Sequence, residues 1–406
     1  MARVLPRLRR GLDVMSSPMK EHPGLFIRDP FRYSQALLLL PPPLVPCLIL
    51  FDGRHDEGDL RSLLVRLTGE LEVTPLVDHL QMVLSTAGFL EDAAFEEMRT
   101  TRVREFVEAP DRAAAHVGSG YPEDATALRE TLDRYLADGQ PGGELAFAEL
   151  PGPPLGIAAP HVSPEGGWRC YGSAYRRLAG VGPDRTFVVL GTSHYGEPSR
   201  FGLTRKPFVS PLGRTSPDPS LVDRLVKDGG PAVCLEDYCH AVEHSIEFQV
   251  VFLQHLFGPE VRVVPILCGP LGPEGGSPRD DDGVRTFLEL LRDVTSARSD
   301  VTWVLGIDMA HVGKRYRDPA PARPNEGAML QVEAFDRERL ELASAGDAEG
   351  FWAKVGSDDP LKWCGSSPLY TFLSAAGPVR GSLLRYEQWA IDEDSVVSFA
   401  ALSFHR

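Results

Sequence analysis

From about residue 116 onward, short apolar runs rich in β-branched residues alternate with runs of helical periodicity. Predicted strands lie at 155–159, 186–190, 261–267, 301–307 and 395–404. Predicted helices include 171–179, 219–227 and 245–257. This alternation is typical of an α/β domain with a substantially parallel central sheet. Ligands of such folds bind beside the loops that leave the carboxyl ends of the strands, so we expect the chemistry of this chain just after each strand.

The first 92 residues follow another pattern, in which two amphipathic helices come after a short strand and a short helix. Asp59 is the predicted N-cap of one helix, and Thr74 is the predicted N-cap of the other, with Pro75 at its first position. Gly88 ends the second helix, and Phe89 and Leu90 suit a strand. We expect a small α+β, winged-helix-like domain here. A charged stretch at 93–112 predicts a helical linker, and 113–406 form the second domain.

The charge balance disfavours some classes of binding partner for both domains. Fifty-seven acidic residues against 42 basic ones give a net charge of −15, which repels phosphate backbones and anionic membranes. The longest apolar stretch, 36–51, contains four prolines, and no apolar segment of a signal peptide follows the basic N-terminus. We therefore expect a cytoplasmic protein that binds neither nucleic acid nor membrane. The first domain is similar in arrangement to peptide-binding PqqD-like domains, and a purely structural accessory domain is the alternative.

Three histidines and an aspartate follow predicted strands within four residues. His161 follows the first strand, His194 the second, and Asp308 and His311 the fourth. A single loop histidine is usually an ordinary hydrogen-bonding residue. Imidazoles at different strand ends of one sheet, however, can converge on one point. Such convergence is needed for a metal site with open coordination positions or for acid–base catalysis.

A further polar segment, Glu243-His244-Ser245-Ile246-Glu247, begins the predicted helix 245–257. Ser245 at or near the N-cap and acidic residues in a first turn are ordinary structural features. Carboxylates that flank an imidazole also suit the orientation of metal ligands or a proton relay. The spacing alone leaves both interpretations open for Glu243 and His244.

The six cysteines are scattered too widely for a disulfide scaffold. Cys364 differs from the others because a loop-forming sequence, Gly-Ser-Ser-Pro, follows it. A thiolate beside two imidazoles favours iron, copper or zinc over magnesium or calcium. The alternative is a nucleophilic Cys–His pair, formed by Cys364 with His311 or His194.

Six segments, in this order, resemble the Memo family, also called AmmeMemoRadiSam system protein B, over residues 113–406. They are HVGSGYP at 116–122, APH at 159–161, GTSH at 191–194, EHSIE at 243–247, DMAH at 308–311 and CG at 364–365. The resemblance implies a fold similar to the catalytic subunit of class III extradiol dioxygenases, which are non-haem iron enzymes. It implies that His161, His194 and Cys364 bind the metal. It also implies that Asp308 and His311 lie beside it, with His311 as the acid–base residue.

This chain departs from the family pattern at three places. Val162-Ser163-Pro164 follows His161 where Ala-Gly-Tyr is usual, Tyr195 replaces a common histidine, and Ile307 replaces the serine before Asp308. These changes alter the wall of the pocket more than the metal ligands.

We therefore expect a non-haem Fe(II) oxidoreductase, dioxygenase-like, that acts on an aromatic or peptidic substrate. In this hypothesis His311 and Asp308 move protons, and Glu243 and His244 assist them. Copper or zinc are the alternative metals. One alternative function is a metal-binding or redox scaffold without turnover, which recruits a peptide or protein through its N-terminal domain. The other is a Cys–His hydrolase.

Overall fold

The computed structural model describes residues 3–17, 19, 21–138, 152–272, 276–356 and 359–406. The chain divides into two compact units, Met1–Ala109 and Pro110–Arg406. Within the described ranges, every helix is too short or too polar to cross a bilayer.

The first unit has a small antiparallel sheet followed by helices. Its strands, in sheet order, are β1 (Asp13–Ser16), β2 (Leu25–Arg28) and β3 (Leu37–Leu40). A 3-10 helix (Pro42–Leu50) precedes α1 (Glu57–Thr68), α2 (Thr74–Thr86) and α3 (Ala93–Glu108). All three strands thus come before these helices, whereas Leu90 forms only an isolated bridge with Leu8. The sequence analysis missed most of this sheet because its four-residue strands lack a clear polar–apolar alternation. The charged segment predicted as a linker forms α3, which belongs to this unit.

The predicted starts of both amphipathic helices need correction. Asp56, not Asp59, caps α1, because its carboxylate accepts hydrogen bonds from the backbone N–H groups of Gly58 and Asp59. The Asp59 carboxylate in turn accepts from the N–H of Asp56 at 3.0 Å, which completes a capping box. Thr74 is already helical, and Val73 occupies the cap position of α2.

The second unit is a mixed α/β fold around a largely parallel ten-stranded sheet, as predicted. Its centre consists of four adjacent parallel strands in the order β11 (Arg262–Cys268), β5 (Thr186–Thr192), β12 (Val301–Gly306) and β4 (Gly156–Ala159). The remaining strands of this sheet are β6 (Phe201–Leu203), β9 (Ser216–Pro217), β10 (Val233–Leu235), β13 (His311–Gly313), β14 (Arg380–Asp392) and β15 (Ser395–His405), and a separate pair is β7 (Val209–Ser210) with β8 (Gly213–Arg214).

Helices cover both faces of this sheet. Alternate residues of its strands therefore pack in two different apolar cores, one on each face. Phe187 and Val189 of β5 pack in one core, and Val188 and Leu190 pack in the other. The first core includes residues of α4 (Ala125–Asp138), α5 (Pro164–Tyr175) and α8 (Glu247–Phe257). The second includes residues of α6 (Pro219–Asp228), α9 (Asp282–Ser296), α10 (Ala328–Ser344), α11 (Ala348–Val355) and α12 (Ser366–Ala375).

Two predicted helices of this unit have different bounds. The helix predicted at 171–179 begins at Pro164, and its last turn is a 3-10 helix, Arg176–Leu178. The helix predicted from Ser245 begins at Glu247, after the short α7 (Cys239–Val242). Ser245 does not cap α8, because its hydroxyl donates to the carbonyl of Thr192 at 2.8 Å. This bond ties the start of α8 to the end of β5.

Candidate functional site

The site lies at the carboxyl ends of neighbouring parallel strands. β4, β5 and β12 are adjacent in the sheet, and His161, His194 and Asp308 each lie two residues beyond the end of one of these strands. Cys364 lies on the loop before α12. One nitrogen each from His161 and His194 and the Sγ of Cys364 lie within 4.8 Å of one another. The fold therefore brings together residues that are up to 203 positions apart in the chain.

The imidazole of His161 is buried and fixed at one end. Its Nδ1 lies 2.9 Å from the carbonyl oxygen of Gly306, which can only accept, so Nδ1 carries the proton and Nε2 keeps a free lone pair. Nε2 is 3.3 Å from the Sγ of Cys364. Burial, together with the nearby His194 and His244, holds the pKa of His161 well below its usual value. The ring is therefore neutral at physiological pH, as a metal-binding imidazole must be.

His194 is held by the buried carboxylate of Glu243. Its Nδ1 lies 3.0 Å from Oε1 of Glu243, and its backbone N–H donates to Oε2 at 2.9 Å. Burial opposes the charged form of His194, but Glu243 outweighs burial and raises the pKa of the ring. Because Nδ1 donates to the carboxylate, Nε2 is the nitrogen of His194 that offers a lone pair when the ring is neutral, and a metal ion would compete with a proton for it.

Glu243 and His244 belong to the same cluster. Burial works against ionisation of Glu243, but His194, His244 and their hydrogen bonds hold its pKa well below the usual range. The ring of His244 stacks on that of His194 with centroids 4.9 Å apart, and it is 5.3 Å from the ring of His161. A second group of possible ligand atoms is therefore His194, Glu243 and His244. It shares His194 with the first group.

Asp308 and His311 form a third group of possible ligand atoms with Cys364. Asp308 accepts the backbone N–H of His161 at 2.9 Å, and burial raises its pKa. The Nδ1 of His311 donates to the carbonyl of Met309 at 2.9 Å, and desolvation lowers the pKa of His311 to about 4. His311 is therefore a neutral imidazole whose Nε2 can accept a proton.

The Cys364 thiol is held against Asp308 by the backbone. The N–H of Gly365 donates to the carbonyl of Asp308 at 2.9 Å, and a Cβ at Gly365 would lie 2.6 Å from that oxygen, so only glycine permits this approach. Thr192 at the end of β5 donates to the carbonyl of Cys364 at 2.9 Å. Burial and then Asp308 raise the pKa of the thiol well above its usual value.

The structure thus brings all seven predicted site residues together, and it adds residues that the sequence analysis did not single out. Arg112 is buried and donates to Glu247 and to the backbone carbonyl of Glu243. Glu247 also accepts from the hydroxyl of Tyr121 at 2.6 Å and from two backbone N–H groups, those of Ala115 and His116. This network fixes the segment at 112–121 behind Glu243. Tyr121 and Glu247 lie in the HVGSGYP and EHSIE segments, so their position in these motifs was the feature of the sequence that could have identified them.

The donor set suits a metal ion on chemical grounds. Two imidazole nitrogens and one sulfur surround a common point, and both imidazoles are oriented by an acceptor at the opposite nitrogen. The thiol of Cys364 faces the lone pair on Nε2 of His161. A cation bound here would replace the thiol proton, because a metal ion deprotonates a coordinating thiol.

Comparison with known proteins identifies the family of this chain. A MEMO1 family protein of Aquifex aeolicus is 26% identical over 384 residues, which cover 93% of this chain and 95% of the relative. MEMO1 family proteins of Thermococcus kodakarensis and Methanopyrus kandleri are each 28% identical, covering 73% of this chain and 99% of their own length. The sequence model of the family described as Memo-like protein matches residues 112–403, which contain every site residue described above. Because this match covers most of the chain, the protein belongs to the Memo-like protein family.

Proposed function

We propose that the second unit is a non-haem iron oxidoreductase that holds Fe(II) through His161, His194 and Cys364. One observation carries the proposal: three donor atoms of the types preferred by iron, copper and zinc lie within 4.8 Å of one another. Fe(II) bound by three protein ligands would keep open positions for dioxygen and for an aromatic or peptidic substrate. Copper and zinc are the alternative metals for the same donors.

The neighbouring side chains supply the proton chemistry in this proposal. His311 is neutral because its pKa is lowered to about 4, so its Nε2 can accept a proton from a substrate hydroxyl or amide. Asp308 orients the backbone of His161 and can take the same proton, since burial favours its protonated form. Glu243 fixes the ring of His194, and His244 contributes a further imidazole at the same edge.

The thiol separates this proposal from a Cys–His hydrolase. Sγ of Cys364 lies 3.3 Å from Nε2 of His161, a distance that suits a nucleophile–base pair. A nucleophilic cysteine needs a lowered pKa, whereas burial and Asp308 raise the pKa of Cys364. The metal-free thiol is therefore a poor nucleophile, while a bound cation would itself deprotonate the thiol. Rapid alkylation of Cys364 that added metal does not slow would support the hydrolase instead.

Elemental analysis of the purified protein tests the metal. We expect close to one iron per chain in the wild type and little in His161→Ala and Cys364→Ser, because each variant loses one of three ligands. His240→Ala and Cys268→Ser remove a buried imidazole and a buried thiol outside the three donor groups, and they should retain iron. An iron-replete preparation without metal, whose stability does not change on chelation, would contradict the proposal.

Oxygen uptake distinguishes an enzyme from a scaffold. The protein is loaded with Fe(II) under anaerobic conditions and then exposed to dioxygen with catechols or aromatic peptides. An enzyme should consume dioxygen repeatedly with one of these compounds and not in their absence. A metal-binding scaffold would show only a slow, stoichiometric oxidation of the iron or of Cys364.

We further propose that the first unit binds a peptide or a protein, and not nucleic acid, which a net charge of −15 disfavours. Pairing of the three strands places Met15, Phe26 and Leu39 side by side on one face of the sheet, with Leu37 on the same face. Leu37 is 64% exposed. An accessible apolar face of this kind is typical of an interaction site.

Calorimetric titration of the full chain with peptides encoded beside its gene tests this partner. A cognate peptide should bind the wild type, and Leu37→Asp should weaken binding at least tenfold. Leu330→Asp changes a comparably exposed leucine in the second unit and should have no effect. If none of these peptides binds, the first unit is a structural accessory.

A further inference from the structure

A buried carboxylate in the middle of α10 accepts three side-chain hydrogen bonds. Oδ1 of Asp336 accepts from Nε1 of Trp363 at 2.6 Å, and Oδ2 accepts from the hydroxyls of Ser398 at 2.6 Å and Tyr386 at 2.8 Å. Asp336 has no exposed surface. A carboxylate is costly to bury, and an apolar side chain of similar size would cost less in a core that needed only stability.

One of these bonds leads to the thiol of the candidate metal site. Trp363 immediately precedes Cys364, and its indole is buried against Phe351, with ring centroids 5.6 Å apart. The hydrogen bond to Asp336 fixes the position and rotation of the indole. This hydrogen bond thereby fixes the backbone at 363–364, from which the side chain of Cys364 extends towards His161.

A second bond leads to the loop that carries Asp308 and His311. The hydroxyl of Ser398 donates to Asp336 and accepts the backbone N–H of Ala310 at 2.9 Å. The backbone carbonyl of Ser398 accepts the N–H of Met309 at 2.8 Å, and its N–H donates to Ala310 at 3.0 Å. Ser398 on β15 therefore holds both residues that lie between Asp308 and His311.

We propose, resting on the metal-binding function above, that Asp336 is a positioning residue that couples the Cys364 loop to the Asp308–His311 loop. One carboxylate receives a donor from each loop system, so it sets the distance between the sulfur ligand and the proton-transfer pair. Asp336 contacts neither the donor atoms nor a substrate, and it acts through Trp363 and Ser398. It lies outside the six family segments.

The chemistry of the three donors predicts which substitution fails. Asparagine has nearly the same shape as aspartate, but it replaces one acceptor oxygen with an NH₂ group. If this group faces Trp363, the indole N–H loses its acceptor. If it faces Ser398 and Tyr386, both hydroxyls must accept instead of donating, and the Oγ of Ser398 already accepts the N–H of Ala310. In Asp336→Asn the hydrogen bond of one loop is therefore removed or reversed, while the packing volume is unchanged.

The test compares full-length wild type and Asp336→Asn, with Co²⁺ as the spectroscopic probe. We expect about tenfold weaker Co²⁺ binding in the variant, which is the lower end for residues that orient metal ligands. The sulfur-to-cobalt charge-transfer absorption should be reduced or shifted. In the metal-free protein, Cys364 should be alkylated several times faster, as measured by mass spectrometry of its peptide.

Two controls separate positioning from a general loss of stability. Asp218→Asn changes another buried carboxylate, which caps α6 and pairs with Arg298, and it should lower stability without changing the cobalt spectrum or the alkylation rate. Tyr386→Phe removes one donor that leads to neither loop, and it should likewise leave both readouts close to wild type.

Wild-type cobalt affinity, absorption and alkylation rate in Asp336→Asn would overturn the inference, even if the variant unfolds more easily. If the wild type itself binds no Co²⁺, the metal proposal fails, and the alkylation rate of Cys364 alone decides whether Asp336 positions that thiol. If Asp336→Asn does not fold, Trp363→Phe and Ser398→Ala each remove one donor and give the same readouts. The first should affect mainly Cys364, and no change in either variant would overturn the inference.

Discussion

At the scale of single residues, the site depends on carboxylates that are buried and fully hydrogen-bonded. Glu243 orients His194, Glu247 holds the segment at 112–121, and Asp308 orients the backbone of His161. Glu243 and Glu247 accept backbone N–H groups as well as side-chain donors. In these two groups, such multiple acceptance compensates for the loss of water around the charge, so the anions do not need to be exposed.

Glu247 gives the acid stability of the second unit a defined pH range. Burial opposes its ionisation, but Arg112 outweighs burial and lowers the pKa of Glu247 from 4.5 to about 2. A carboxyl group whose pKa is lower in the folded state stabilises the fold above its unfolded pKa and loses that contribution as the pH falls. The contribution is on the order of 3 kcal/mol at neutral pH.

We therefore expect the free energy of unfolding of the wild type to fall as the pH is lowered from about 4.5 towards 2. Glu247→Gln should lack this part of the pH dependence, and it should be less stable than the wild type at pH 7 by about 3–5 kcal/mol, because Arg112 would be left as an unpaired buried charge. Urea denaturation at several pH values measures both effects. An equally steep acid loss in Glu247→Gln would show that another group is responsible.

At the scale of elements, the sequence predicted those strands and helices that have a clear local pattern of apolar residues. β5 and β12 are buried on both faces, so they are continuous apolar runs that are easily recognised, and the residues that follow them could be placed at one sheet edge. β14 was missed because it is only half buried and carries charged residues along its length. Its identity as a strand comes from its pairing with β15, which a local pattern does not contain.

The same limit applies to the site. His161, His194, Asp308, His311 and Cys364 could be proposed because each occupies a conspicuous local position. Asp336 could not be proposed, because nothing in the sequence of α10 marks it and its partners are 27–62 residues away. Arg112 meets Glu247 across 135 residues. The candidate ligands are thus visible in the sequence, whereas Arg112 and Asp336, whose partners are distant in the chain, emerge only with the fold.

At the scale of the whole molecule, the relatives differ in how much of this chain they match. The Thermococcus and Methanopyrus proteins match 73% of this chain over almost their entire length, a share that corresponds to the second unit. The Aquifex protein covers 93% of the chain, so its alignment extends well into the first unit. Sequence similarity therefore extends into the first unit in at least one relative.

We expect a chain that begins at Pro110 to fold and to bind metal like the full-length protein, because every residue of the three donor groups lies in the second unit. Elemental analysis should give the same iron content per chain. Circular dichroism should show a cooperative thermal transition. Loss of iron from this shorter chain, with its helical signal intact, would mean that the first unit contributes to metal binding.

The spacing of the donors also has a consequence for biosynthesis. His161 and Cys364 are 203 residues apart, and the loop that holds Asp308 is bonded to Ser398 on β15, the final strand of the sheet in chain order. A nascent chain that ends before Cys364 lacks one of the three proposed ligands, and one that ends before β15 lacks the strand that anchors the Asp308 loop. Under the proposed metal-binding function, metal uptake would therefore follow synthesis of at least the first 364 residues.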